Sequence, residues 1–210
     1  MLKGTLEESK IVLQKEKSSL YEYLTDKLNH HILKNIIIKN FRKDELIYFP
    51  GESNLPIFEI LSGGVLLGYY TEEGEEITHE ILVKYDYFGN LKNYQSGMSE
   101  FAKALIDTTV VVYNHSYFNT LVGSDIIISG WFNKYLSRRW SDIEVRLLKI
   151  NSQKVVDNLV YLYRNLNKKV KDAHGREFLI FDLLTKKEIA DLIGCTRQTV
   201  ASALKELKIT

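Results

Sequence analysis

The sequence predicts an α+β chain, with an antiparallel β-structure flanked on both sides by helix. Three observations carry this. The stretch from Phe41 to Asn90 holds both prolines and six of the twelve glycines, with short runs of Ile, Val, Leu, Tyr and Phe between them. Residues 5–38, and everything from Ser116 on, have the texture of helix. Near the end, "TKKEIADLIGCTRQTVASALKELK" reads as two amphipathic helices hinged on Gly194.

Taken in order, "LEESKIVLQKEKSSLYEYLTDKL" spaces Leu, Ile and Tyr among Glu and Lys at helical intervals without proline, so residues 5–38 are expected to be helical. From Phe41 the turn signals "PGES", "LSGG", "EEGEE" and "FGN" recur roughly every 10 residues, the rhythm of an antiparallel sandwich or barrel. "TEEGEEITHE" predicts a hairpin with Gly74 at the positive-φ position. "FAKALIDTTVVVYN" supplies a last strand pair ending near residue 114.

Beyond Ser116, Phe132, Leu136, Trp140, Ile143, Leu147 and Ile150 form an apolar stripe at coiled-coil-like spacing. Such a stripe covers the open face of its own barrel, meets a second copy, or does both. Arg139 and Trp140 on so long an element favour a partner. A helix from "SQKVVDNLVYLYRNL" and one strand in "REFLIFDLL", around Phe178–Leu184, lead into the final pair. These shifts divide the chain into residues 1–115, 116–150 and 151–210.

In the final pair Thr185 and Glu188 form a capping box, and Ile189, Leu192 and Ile193 share one face. Gly194 suits a left-handed stop, and Thr196 an N-cap. In the second helix Val200, Ala203, Leu204 and Leu207 make the buried stripe. The opposite face carries Arg197, Gln198, Ala201, Ser202 and Lys205, without a carboxylate or a large apolar group. A helix with such a face can enter a major groove, and threonines at helix N-termini suit phosphate oxygens. An ordinary helical hairpin fits the amphipathic pattern equally well.

"LTKKEIADLIGCTRQTVASALKEL" resembles the helix-turn-helix of the cyclic AMP receptor protein / fumarate-nitrate regulator (Crp/Fnr) superfamily of bacterial transcription factors, including its Gly-Cys-Thr-Arg turn. Pro50-Gly51, Ser62-Gly63, Glu73-Gly74 and Phe88-Gly89 follow the order of turns in that family's β-roll. The resemblance implies a jelly-roll sensor like the cyclic nucleotide-binding domain, a long dimerisation helix and a winged helix-turn-helix. It implies a homodimer on a pseudo-palindromic double-stranded DNA site, with RNA polymerase as a further candidate partner. By resemblance Arg197, Gln198 and Ser202 read bases, while Thr185, Lys187, Thr196 and Thr199 fix phosphates. Relatives commonly carry glutamate at the Gln198 position and arginine at the Ser202 position, so the usual half-site is not expected. Their wing follows the recognition helix, whereas this sequence ends at Thr210, so part of the wing is missing or lies outside it and the strand near Phe178 is expected to have a bare edge.

The same resemblance places a candidate effector pocket at Gly89, Asn90, Met98 and Ser99. Cyclic-nucleotide binders have glutamate where Asn90 stands and arginine where Met98 stands. A buried phosphate needs a cation and several donors; Met98 supplies none, and Glu100 beside it would repel the charge. Cyclic AMP is therefore not the expected ligand, and an unidentified effector, or none, remains. Cys195 is the single cysteine, which excludes an iron–sulfur cluster or all-cysteine metal site held by one chain. Haem would need an axial ligand such as His79, but a lone histidine on a strand has the pattern of a hydrogen-bonded or surface residue. No metal site and no cofactor is expected.

Composition agrees with this reading. Residues 151–210 carry 11 Lys/Arg against 7 Asp/Glu and the rest 17 against 20, so the positive charge sits where DNA would be touched. No apolar run is long enough for a membrane, and the Lys- and Glu-rich start is unlike a signal peptide, which points to the cytoplasm. No nucleophile–base spacing or glycine-rich phosphate loop suggests an enzyme, and the His30-His31 doublet has the pattern of solvated residues. The competing reading is a ligand-binding or protein-interaction module of the same fold that has lost DNA binding.

Overall fold

The computed structural model describes residues 19–27, 35–52, 55–91, 100–152 and 154–208. After a short helix α1 (Leu20–Lys27), eight strands follow: β1 (Ile36–Phe41), β2 (Leu46–Tyr48), β3 (Ile57–Ser62), β4 (Gly64–Tyr70), β5 (Glu76–Val83), β6 (Tyr87–Gly89), β7 (Glu100–Ala104) and β8 (Thr108–Tyr113). They form two antiparallel four-stranded sheets, ordered β1-β8-β3-β6 and β2-β7-β4-β5. Then come α2 (His115–Ser124), α3 (Ile126–Ser152), α4 (Val155–Leu166), a hairpin of β9 (Lys169–Lys171) and β10 (Glu177–Leu179), a 3-10 turn (Phe181–Leu183), α5 (Lys186–Ile193) and α6 (Arg197–Leu207). The α+β architecture agrees with the sequence reading.

The strand residues explain the layers. β8, "TTVVVY", is central in its sheet and buried over nearly its whole length, as a β-branched run covered on both faces should be. Between the sheets lie Tyr48, Phe58, Ile60, Val65, Leu67 and Phe88, among others. On the outer side of the first sheet, Leu20 and Tyr23 of α1, Phe118 of α2 and Ile128, Trp131 and Phe132 of α3 build a second core. The third core belongs to α4–α6 but also takes in Leu105 and Ile106 from the loop before β8. The C-terminal unit therefore shares its core with the β-roll.

The predicted turns are present: Gly51, Gly63, Gly74 and Gly89 all have positive φ, and Gly74 closes the β4–β5 hairpin. Gly89 is also a close approach, since a Cβ there would lie 2.3 Å from the Pro56 carbonyl oxygen.

Four expectations are corrected. Helix over residues 5–38 fails at its end: Ile36–Ile38 pair with Val111–Tyr113, because a run of three isoleucines suits a sheet better than a helix. Residues 5–18 and 28–34 lie outside the described residues. The helical stretch from Ser116 is two helices, because Asp125 leaves helical geometry and its Oδ1 accepts from the amides of Ile127 (2.8 Å) and Ile128 (3.2 Å). The strand pair of "FAKALIDTTVVVYN" is split between opposite sheets. Finally, the strand before the capping box spans only Glu177–Leu179; β9 covers one of its edges, and Phe181–Leu183 turn into a 3-10 helix.

Candidate nucleic-acid interface and sensor interior

The C-terminal helix pair is built as its caps dictate. The Glu188 amide donates to Thr185 Oγ1 (3.2 Å), and the Thr185 amide donates to Glu188 Oε2 (2.6 Å). Gly194 ends α5 in the left-handed region at φ 70°. Thr196 Oγ1 accepts from the Thr199 amide (3.2 Å) and starts α6. Ile189, Leu192, Ile193, Val200 and Ala203 are buried, which orients both helices. Arg197, Gln198 and Ser202 are left exposed on one side of α6, with Ala201 half-buried between them. Among the described residues none forms a hydrogen bond or ion pair with the side chains of Arg197 or Gln198. The exposed threonines 185, 196 and 199 spend their hydroxyls on capping bonds, and Thr196 Oγ1 lies 2.8 Å from Thr199 Oγ1.

Lys187 sits differently. Its ammonium donates to the Glu76 carbonyl of β5 and to Asp191 Oδ2 (2.9 Å). Asp191 Oδ2 in turn accepts from the Thr78 amide (3.0 Å). β5 is an edge strand, and α5 satisfies two of its free backbone groups. Residue spacing gave no sign of this docking, because the partners are more than a hundred positions apart.

In the β-roll, Gly89 and Asn90 are buried, while Met98 and Ser99 lie outside the described residues. The space between the sheets is filled by stacked rings: Phe58 on Phe88 at 4.8 Å, Tyr48 on Phe58 at 5.8 Å and Tyr48 on Phe88 at 6.1 Å. Tyr48 donates to Glu100 Oε1 (2.6 Å), and His79 Nε2 lies 3.0 Å from Glu100 Oε2. Burial pushes Glu100 up, but the bonds from His79 and Tyr48 outweigh it and hold the carboxyl below its ordinary range. His79 is thus a hydrogen-bonded residue. Among the described residues no group of three or more His, Cys, Asp or Glu is placed to hold a metal ion.

The predicted stripe on α3 divides. Phe132 is only 8% exposed and packs edge-on against Phe118 at 5.2 Å, and Leu136 joins the same core. Trp140 (67% exposed), Ile143 (44%) and Leu147 (58%) are bare. Ile150 is half-buried, near enough to the turn that a Cβ on Gly194 would lie 3.1 Å from its Cγ2. Leu148, equally exposed, was missed by the stripe. Arg139 turns to its own roll rather than to a partner: it donates to the Tyr87 carbonyl (2.7 Å) and to Glu80 Oε2 (2.5 Å). Burial disfavours its charge, but Glu80 more than compensates and raises its pKa.

The family model of the cyclic nucleotide-binding domain matches residues 38–125. The cAMP-activated global transcriptional regulator CRP of Salmonella typhimurium is 27% identical over 197 residues, which cover 88% of each chain. Over most of its length the chain is thus similar to transcriptional regulators of the Crp/Fnr type. Solved structures share its fold. A CooA variant from Carboxydothermus hydrogenoformans superposes with TM-score 0.69 at 22% identity, covering 94% of this chain and 87% of that one. The c-di-GMP-responsive regulator CLP of Xanthomonas campestris does so with TM-score 0.66 at 14% identity, covering 84% and 88%. In this likeness α5–α6 form the helix-turn-helix, and the two sheets fall almost wholly within the stretch matched by the cyclic nucleotide-binding domain. No helix among the described residues is long and apolar enough to cross a membrane.

Proposed function

We propose that this Crp/Fnr-type regulator is a homodimer that binds a pseudo-palindromic duplex and reads bases with Arg197, Gln198 and Ser202. The observation that supports it most is the exposed side of α6 that carries Arg197, Gln198 and Ser202, held outward by a core beneath Val200 and Ala203. The proposed division keeps residues 1–115 as sensor, 116–150 as dimerisation segment and 151–210 as reading head. Thr185, Thr196 and Thr199 serve as both helix caps and phosphate contacts. Lys187 can reach a phosphate only after leaving the Glu76 carbonyl, so DNA binding competes with the docking of α5 on β5.

Selection from a random duplex library, with affinity measured across salt concentrations, tests this reading. An inverted repeat with a steep salt slope is expected; no enriched sequence, or affinity indifferent to salt, would mean that DNA binding has been lost. In the selected site Arg197→Ala is expected to relax one guanine position, by about 1–3 kcal/mol of discrimination. An unchanged base preference at every position would remove Arg197 from the reading set.

The sensor does not take cyclic AMP in this proposal. Tyr48, Phe58 and Phe88 occupy the space between the sheets, and Glu100, half-buried, puts a carboxylate next in sequence to the segment that would hold a phosphate. CRP of Salmonella typhimurium is named as cAMP-activated and CLP as c-di-GMP-responsive, so the relatives themselves differ in effector. Millimolar cyclic AMP is expected to leave both melting temperature and duplex affinity unchanged.

A further inference from the structure

A cavity of about 440 Å³ opens where β5, the second half of α3 and α4 meet. Neither Gly89 nor Asn90 lines it, so it is separate from the interior of the roll. Its floor is apolar, with Leu82, Leu162, Ile180 and Leu192 all buried. Its rim carries Arg138, Arg139, Arg146 and Lys168 against Glu80, Asp86 and Asp142.

Part of that charge has work already. Arg139 is paired with Glu80, and Asp86 Oδ2 accepts from the Val83 amide (2.9 Å) to close the turn after β5. Arg146 is less committed. Half-buried on α3, it donates through Nη1 to the His79 carbonyl, and among the described residues no carboxylate pairs with it or with Lys168. Its guanidinium has five N–H donors, and one backbone oxygen leaves most of them unused. A partly desolvated cation with free donors, above an apolar floor, favours an anion that carries apolar surface. The volume lies in the range of small-molecule sites, about 300–1,000 Å³.

We infer that this cleft is an effector site for a small amphipathic anion, a single negative group on an apolar ring or chain, with Arg146 and Lys168 holding the charge. Its walls come from the sensor roll, the long helix and the reading head, the last through Leu162, Ile180 and Leu192. An occupant that prefers one setting of these walls biases the position of α5 and α6, which is how a ligand acts at a distance. The regulatory half of this inference rests on the proposed DNA reading; the binding half does not.

The probe is 1-anilinonaphthalene-8-sulfonate, whose sulfonate and fused rings match the chemistry and whose fluorescence rises in apolar surroundings. One saturable site per chain is expected, at least tenfold weaker in Arg146→Gln, largely restored in Arg146→Lys and blocked in Asn165→Trp. Asn165 is exposed on α4 at the cavity wall, so tryptophan there fills the space without entering the core. Binding to the bare stripe at Trp140 and Leu147 would ignore all three substitutions. Equal affinity in wild type and Arg146→Gln, equal affinity for uncharged 1-anilinonaphthalene, or no binding would overturn the site. Saturating probe should change affinity for the selected duplex at least threefold, and binding without that change would overturn the effector role alone. If no duplex is selected at all, the DNA reading fails while the binding result stands on its own.

Discussion

Leu147→Glu is expected to leave a folded monomer whose affinity for the selected duplex falls at least about a hundredfold, the scale lost when two linked binding modules become one. Leu147 lies on the half of α3 that leaves its own roll, where Trp140, Ile143, Val145 and Leu148 are also exposed. Large apolar side chains gathered on one helix mark an interaction surface, and a twofold partner buries such a face against itself. A glutamate there places two carboxylates in an apolar seam, and separation is cheaper than burying them. With one reading head, the remaining contacts cover a single half-site instead of two spaced about 34–36 Å apart. Sedimentation gives the oligomeric state, and a duplex titration gives the affinity. A variant that stays dimeric and binds normally would sink the assignment of this face. Leu147 makes a cleaner probe than Phe132 or Leu136, whose rings and methyls belong to the intramolecular core and report on folding. It is cleaner than Ile143 too, which lines the cleft beside α4.

What could be read in the sequence depended on how far apart the interacting groups lie. The caps at Thr185, Gly194 and Thr196 were legible because their partners are three to five residues away and the residue types are restrictive. The β-roll was legible through glycines whose positive φ the turns require. Features settled by distant partners were not. Ile36–Ile38 looked like the tail of a helix until Val111–Tyr113 offered a strand to pair with. β9 is three residues long and alternates lysine with one valine, too little signal for any pattern. The stripe on α3 has uniform spacing, yet Phe132 packs inward and Trp140 outward, because the roll ends partway along the helix. Lys187 gave the residue type suited to a phosphate, while its place on the Glu76 carbonyl came only with the fold.

Glu59 carries a second large effect that no periodicity announces. It lies on β3 without solvent exposure, in the core formed with α1. Its Oε2 accepts from the Tyr21 amide (3.1 Å) and from the Tyr113 hydroxyl, while Oε1 has no partner among the described residues. The donors stabilise a carboxylate, but burial outweighs them and lifts the pKa from 4.5 to about 7. Between those values the folded chain holds a proton that the unfolded chain has released, so stability falls as pH rises from about 4.5 through about 7 and is level on either side. The difference corresponds to about 3 kcal/mol. Urea denaturation at pH 5, 6, 7 and 8 should show this slope in the wild type and lose it in Glu59→Gln, which cannot titrate. Parallel curves for the two proteins would mean that Glu59 stays ionised in the core throughout. The loss should begin at α1, since the Tyr21 amide ties that helix to Glu59 and the Leu20 amide ties it to the Tyr87 hydroxyl at 2.8 Å. A fall in the protection factors of the Leu20 and Tyr21 amides as pH rises through about 7, with the intrinsic rise of exchange with pH divided out, would locate the titrating group at this junction if it is absent in Glu59→Gln.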